Sequence, residues 1–172
     1  MSWPWRSSLL LCVAGLVVFL DQITKVWVDK TMRVYDTQTI IPGILDLYYI
    51  RNTGAAFGFL SGSHEGFRVP FFILVSVVAV GIILFLFYRL EDSEVMMPMA
   101  LSLVLGGAIG NLADRIRLGE VIDFILVHYK AFRWPAFNVA DIAITVGVFL
   151  LILRIFIFER ASSRDNPSNP SP

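Results

Sequence analysis

Asp123 and Asp141 are the residues from which chemistry can be argued first. Asp123 stands in Val121-Ile122-Asp123-Phe124-Ile125, embedded in apolar residues, and Asp141 closes Pro135-Ala136-Phe137-Asn138-Val139-Ala140-Asp141. A lone buried aspartate tends to take up a proton and become neutral. Two aspartates brought together hold one proton between them, because like charges a few ångströms apart cannot both ionise easily. The ionised member can then take a proton from water as the water attacks a carbonyl. The protonated member can polarise that carbonyl and later protonate the leaving amine. This is peptide hydrolysis by acid–base catalysis, with neither a metal nor a covalent intermediate.

Other schemes fit worse. His64-Glu65-Gly66-Phe67-Arg68 begins like a zinc-peptidase motif but carries Arg68 where the second histidine belongs. His64 and His128 are the only histidines, and no Gly-x-Ser-x-Gly elbow occurs. Cys12 is the only cysteine, which excludes an intrachain disulfide and a thiolate metal cage. Leu11 precedes it where a lipoprotein cleavage box has a small residue. The 14 basic residues balance the 14 acidic ones, so no nucleic-acid footprint is present. No metal and no cofactor is expected.

Further polar groups cluster around the two acids. Asp21 and Lys25 stand at i and i+4, the acid N-terminal, a favourable helical pairing that a snorkelling ion pair at a membrane interface would also explain. Asn52-Thr53-Gly54-Ala55-Ala56-Phe57 lets backbone approach something closely, or is an ordinary turn. Gly106 and Gly110 have the small-xxx-small spacing of tightly packed membrane helices. Asn111, Asp114 and Arg115, at i, i+3 and i+4, share a face that packing does not ask for. Asn138 and Thr145 share a helical face with Asp141.

The elements that must position these residues are membrane spans. The chain has 172 residues, 56% of them hydrophobic and only 16% charged, with a mean hydropathy of +0.71. Four segments reach the roughly 20 residues that cross a bilayer: about 7–28, 69–88, 95–113 and 135–158. The second and third carry no charge. The apolar run from Leu9 to Leu20 lacks a small-x-small exit, so a cleavable secretory signal is not expected. About 40 residues join the first two spans, and the apolar, β-favouring runs around Pro42-Gly43 predict a small sheet on the membrane surface. The connection from Asp114 to Trp134 is expected to lie partly in the interface. Residues 1–160 form one domain, and 161–172 read as a disordered tail without an apolar face. The fold class is thus an all-α membrane protein, four transmembrane helices with a small β-sheet in the first connection. Basic residues number five on the side of the termini and nine on the side of the long connections, which by the usual bias puts the long connections in the cytoplasm.

With these clusters in view, the chain resembles the lipoprotein signal peptidase family (signal peptidase II), bacterial intramembrane aspartic proteases. The resemblance rests on Asp21-Gln22-Ile23-Thr24-Lys25, Asn52-Thr53-Gly54-Ala55-Ala56-Phe57, Gly110-Asn111-Leu112-Ala113-Asp114-Arg115, Val121-Ile122-Asp123-Phe124 and Phe137-Asn138-Val139-Ala140-Asp141, in the family's order. Thr24 stands where many members carry Ser. The resemblance implies a substrate carrying diacylglycerol on its lipobox cysteine, cut N-terminal to that cysteine to release the signal peptide. It implies Asp123 and Asp141 as the catalytic pair. Asn52, Gly54, Asn111, Arg115, Asn138 and Ala140 match site-lining positions, and Asp21 with Lys25 a supporting pair. Asp114 falls in the third motif. The implied location is the bacterial inner membrane, with cytoplasmic termini and the site near the outer leaflet, against the charge count. The expected partners are lipidated prolipoprotein and membrane lipid, with the chain a monomer.

Two other classes of function were open to the residues alone. One is a small proton-coupled transporter using Asp141 or Asp21 as proton carrier, although acids clustered at one end leave little polar path across the bilayer. The other is a membrane scaffold, which leaves the polar clusters unexplained.

Overall fold

The computed structural model describes residues 3–54, 64–90 and 95–165. Four long helices form a bundle: α1 (Trp3–Thr31), α2 (Glu65–Tyr88), α3 (Met96–Leu118) and α4 (Val139–Asp165). Each contains a stretch long and apolar enough to cross a membrane. Their outward faces are rich in exposed Leu, Ile, Val and Phe, such as Leu11, Leu74, Phe85 and Phe149, which suits a lipid solvent rather than water. α3 is the central helix. It packs against α1, α2 and α4, and 56% of its spanning window is buried, against 11% for α2.

The four spans stand where hydropathy places them, with displaced ends. α3 continues to Leu118, beyond the expected 113, and takes Asp114 and Arg115 into its last turns. Hydropathy could not foresee this, because Asp114 is 1% exposed and paired inside the protein rather than solvated in a loop. Gly119, in the left-handed region at φ 73°, ends the helix by donating its N–H to the Arg115 carbonyl. α4 starts at Val139 rather than near Pro135, because Asn138 caps it, and runs to Asp165. Residues 161–165, expected in a disordered tail, are therefore helical. Glu159, Arg160 and Ala161 are good helix formers, and no glycine or proline intervenes before Pro167. Residues 166–172 of that tail lie outside the described residues, as do Ala55, Ala56 and Phe57 of the second motif.

A four-stranded antiparallel sheet of order β1-β2-β3-β4 closes one end of the bundle. β1 (Thr37–Ile41) and β2 (Leu45–Asn52) come from the first long connection, as expected. β3 (Val121–Tyr129) and β4 (Phe132–Arg133) come from the third, so the sheet is larger than the first connection alone supplies. The run Phe124-Ile125-Leu126-Val127 is the middle of β3 and pairs with β2. Beneath the sheet, Val28 and Met32 of α1, Tyr49 of β2, and Ile122 and Phe124 of β3 form a buried apolar cluster. Asp123 lies between Ile122 and Phe124, so strand alternation turns its side chain to the opposite face.

Candidate active site

All four helices alternate in direction, so the C-terminal ends of α1 and α3 meet the N-terminal end of α4 at the end of the bundle that the sheet closes. Every site residue predicted from sequence and described here falls at that end.

Asp141 is the third residue of α4, and Asn138 immediately precedes the helix. The Asp141 N–H donates to Asn138 Oδ1 at 2.9 Å, and the Asn138 N–H donates to Asp141 Oδ2 at 3.3 Å. This reciprocal pair is a capping box, in which two otherwise unpaired helix N–H groups are satisfied. A third is satisfied by Asp21 of α1, whose Oδ1 accepts from the Ala140 N–H at 2.9 Å. Ala140 itself is fully buried against α3.

Three asparagine amides join the two aspartates to the bundle, and each is oriented by a partner that leaves it no choice. Asn138 Oδ1 accepts from a backbone N–H, so its NH₂ must point the other way. It donates to Asp123 Oδ1 at 2.7 Å, and lies 3.1 Å from Asn111 Oδ1 and 3.3 Å from the Ile122 carbonyl. Asn52 Oδ1 accepts from the Gly54 N–H at 3.0 Å, so its NH₂ reaches Asp123 Oδ2, also at 3.0 Å. Asn111 Oδ1 accepts from the Lys25 ammonium at 3.0 Å, and ammonium can only donate. The Asn111 NH₂ therefore faces Asp141 Oδ1, at 2.8 Å. All four carboxylate oxygens of the pair thus receive an N–H.

Behind this layer sits a buried ion cluster. Lys25 is 1% exposed, and its three donors meet Asp21 Oδ2 at 2.8 Å, Asp114 Oδ2 at 2.8 Å and Asn111. Burying an ammonium requires this complete pairing. Asp114 Oδ2 also accepts from the Ile122 N–H at 3.3 Å, which ties the last turns of α3 to the start of β3, one residue from Asp123. Arg115 donates to the Asn111 carbonyl at 3.3 Å, lies over the Phe72 ring at 5.4 Å, and sits near enough to feel the charges of Asp141, Asp123 and Asp114.

The Asp123 carboxyl, 2% exposed, is pushed up to about 7, first by burial and then by the charge of Asp141. Hydrogen bonds from Asn52 and Asn138 and the charge of Lys25 act the other way. A carboxyl poised near neutrality beside a second carboxylate is suited to acid–base work.

Sequence reading missed Gln22 as an individual. Its Nε2 lies 3.1–3.2 Å from Asp21 Oδ2, the Gly110 carbonyl and Asp114 Oδ1, and its Oε1 accepts from Arg117 at 3.0 Å. The signal was available, since Gln22 adjoins Asp21 in the first motif. Thr24, by contrast, donates among the described residues only to carbonyls of its own helix, Leu20 at 2.7 Å and Asp21 at 2.9 Å, so Thr in place of Ser leaves the site unchanged. Thr145, on the Asp141 face, makes none of the contacts described.

The family model described as Signal peptidase (SPase) II matches residues 13–157, which contain every residue of this site. The chain belongs to the signal peptidase II family. A lipoprotein signal peptidase of Geobacter metallireducens is 48% identical over 154 residues, covering 90% of this chain and 94% of its own. One from Geobacter sulfurreducens is 52% identical over 148 residues, covering 86% and 91%. Among solved structures, a bacterial membrane enzyme determined by the in meso method at 2.3 Å resolution matches with a TM-score of 0.79 and 32% identity, over 95% of this chain and 93% of that one. Membership makes the chain a multi-pass membrane protease. The transporter reading has no support in these matches, and the buried acids and Lys25 stand together at one end of the bundle.

Proposed function

We propose that the chain is an aspartic endopeptidase that removes the signal peptide from diacylglyceryl-modified prolipoproteins, cutting N-terminal to the lipidated cysteine, with Asp123 and Asp141 as its catalytic pair. The observation that carries this reading is the pair's shared amide frame. Asn138 donates to both aspartates, through its side chain to Asp123 and its backbone to Asp141.

In the working state Asp123 holds the shared proton, as its elevated pKa favours, and Asp141 serves as the base. Asp141 takes a proton from water as the water oxygen bonds to the scissile carbonyl carbon. Asp123 gives its proton to the carbonyl oxygen, forming a tetrahedral diol. The diol then returns a proton to Asp123, the Asp141 proton passes to the leaving nitrogen, and the C–N bond breaks. One water is consumed, and the pair ends with the single proton it began with. Arg115, Asn111 and Gly54 line the site, and Asp21, Lys25 and Asp114 hold the frame.

The sheet and the acid pair face the outer leaflet of the inner membrane, with both termini cytoplasmic, and the chain works as a monomer. A lipidated substrate enters from the bilayer with its acyl chains still in lipid. The test is incubation of purified protein in lipid nanodiscs with a diacylated lipobox peptide, followed by mass spectrometry. The expected product begins with the lipidated cysteine, and the unlipidated peptide is cut far more slowly. Cleavage at another bond, or equal cleavage of both peptides, sinks the assignment.

A further inference from the structure

The strand that delivers Asn52 to Asp123 has an irregular register. β2 pairs Leu47 with Ile125 and then Ile50 with Asp123, so three steps along β2 match two along β3. One extra residue is therefore accommodated at Tyr48–Tyr49, a bulge that reverses which face the following side chains occupy. Because of it, Ile50 and Asn52 share the face of Asp123, while Tyr49 and Arg51 turn to the other. A regular ladder would put Arg51 on the Asp123 face and turn Asn52 away.

The reversed side chains are engaged. Tyr49 is 1% exposed within the apolar cluster beneath the sheet. Its hydroxyl donates to Asp29, near the end of α1. Arg51 Nε donates to the Tyr49 hydroxyl oxygen at 2.9 Å and Arg51 Nη2 to Asp29 Oδ1 at 2.9 Å. The Tyr49 backbone is held on its other side: its N–H donates to the Asp36 carbonyl at 3.1 Å, and its carbonyl accepts from the Tyr35 N–H at 2.7 Å. Asp29 and Arg51 are 40% and 34% exposed, so screening leaves the ion pair little energy of its own. Its effect is to fix orientation.

We propose that Asp29, Tyr49 and Arg51 are positioning residues that clasp the β2 bulge to α1 and thereby hold the Asn52 amide on Asp123. None of the three belongs to the motifs that carry the chemistry. The inference rests on the proposed role of Asp123, but the physical link it asserts, from Tyr49 to the Asn52 amide, exists whatever the substrate.

The test uses the full chain in lipid nanodiscs and the variants Tyr49→Phe, Asn52→Ala and their combination. Tyr49→Phe keeps the buried ring and removes only the clasp hydroxyl. Two readouts are taken. The first is the NMR position of the Asn52 side-chain amide, which Tyr49→Phe is expected to move toward that of a free amide. The second is the pH profile of cleavage of the diacylated peptide. The groups facing Asp123 are Asn52 of β2, Asn138 just before α4, Asp141 of α4, Lys25 of α1 and Arg115 of α3. Loss of the Asn52 bond removes one donor that favours the charged carboxylate, so the alkaline limb of the profile moves to higher pH. kcat is expected to fall roughly five- to tenfold, the equivalent of one hydrogen bond, with KM nearly unchanged. The double variant should match Asn52→Ala alone, because both remove the same contact. An unmoved Asn52 resonance, an unshifted pH limb or additive losses overturn the clasp. If wild-type protein leaves the peptide uncut, the proposed function fails, and the amide resonance still decides the clasp.

Discussion

Asn111 and Asn138 show how far single side chains determine this site. An asparagine can donate or accept, and here a backbone N–H and a buried ammonium remove that freedom, so both amides present N–H groups to the aspartates. The donors favour ionised carboxylates, while burial and the nearness of Asp141 oppose ionisation at Asp123, and the opposing effects leave its carboxyl at about 7. The unfolded-state value is near 3.9, so folded protein binds this proton more tightly than unfolded chain. Ionising Asp123 therefore costs stability progressively as pH rises from about 4 to about 7, and the cost stays constant above that. Asp123→Asn should unfold at higher temperature than wild type at pH 8 and at nearly the same temperature at pH 4. Wild-type activity should fall as pH rises through about 7, when the proton of the pair is lost. Equal stability of the two proteins at both pH values would show that Asp123 is not held under this strain.

The elements matter because backbone contact, not side-chain reach, sets where α4 presents Asp141. A Cβ on Gly107 would collide with the Ala140 carbonyl oxygen and with Ile144, and one on Gly110 would come within 2.6 Å of Asp21 Oδ2. Both glycines lie where α3 meets its neighbours at the site. Gly107→Ala must push α3 and α4 apart and so lengthen the Asn111–Asp141 contact, reducing kcat by about tenfold or more. Gly81→Ala is the control, since a Cβ there meets nothing within 4 Å, and it should leave activity unchanged and the melting temperature unchanged or slightly raised. Hydropathy and run length made these spans readable, and the i, i+3 spacing of Asn138 and Asp141 correctly joined two residues that prove to be a capping box. It could not show that Asp114 lies inside α3, because hydropathy scores a paired buried charge and a solvated one alike. Nor could it show β3 against β2, because Asn52 and Asp123 are 71 positions apart and only pairing reveals their contact. The β2 bulge was invisible for the same reason.

At the scale of the whole molecule, the arrangement separates two solvents. Lipid-facing helices carry apolar side chains outward, while Asp21, Lys25, Asp114, Asp123 and Asn138, each no more than 2% exposed, form one polar body at the end of the bundle that the sheet closes. Keeping charge inside a bundle in lipid demands complete pairing, and the network supplies it while leaving Asp141 partly open. The five motifs in order had already named a family, and its model now spans residues 13–157. The fold explains why those motifs lie so far apart in sequence: each supplies one wall of a single site. The central claim is that Asp123 and Asp141 act as one proton-sharing pair. Its most direct test is single-turnover cleavage of the diacylated lipobox peptide by wild type, Asp123→Asn and Asp141→Asn, each verified as folded in nanodiscs. The account predicts that each substitution alone lowers the rate by about a thousandfold or more, with substrate still bound. Near-normal cleavage by either folded variant would contradict it.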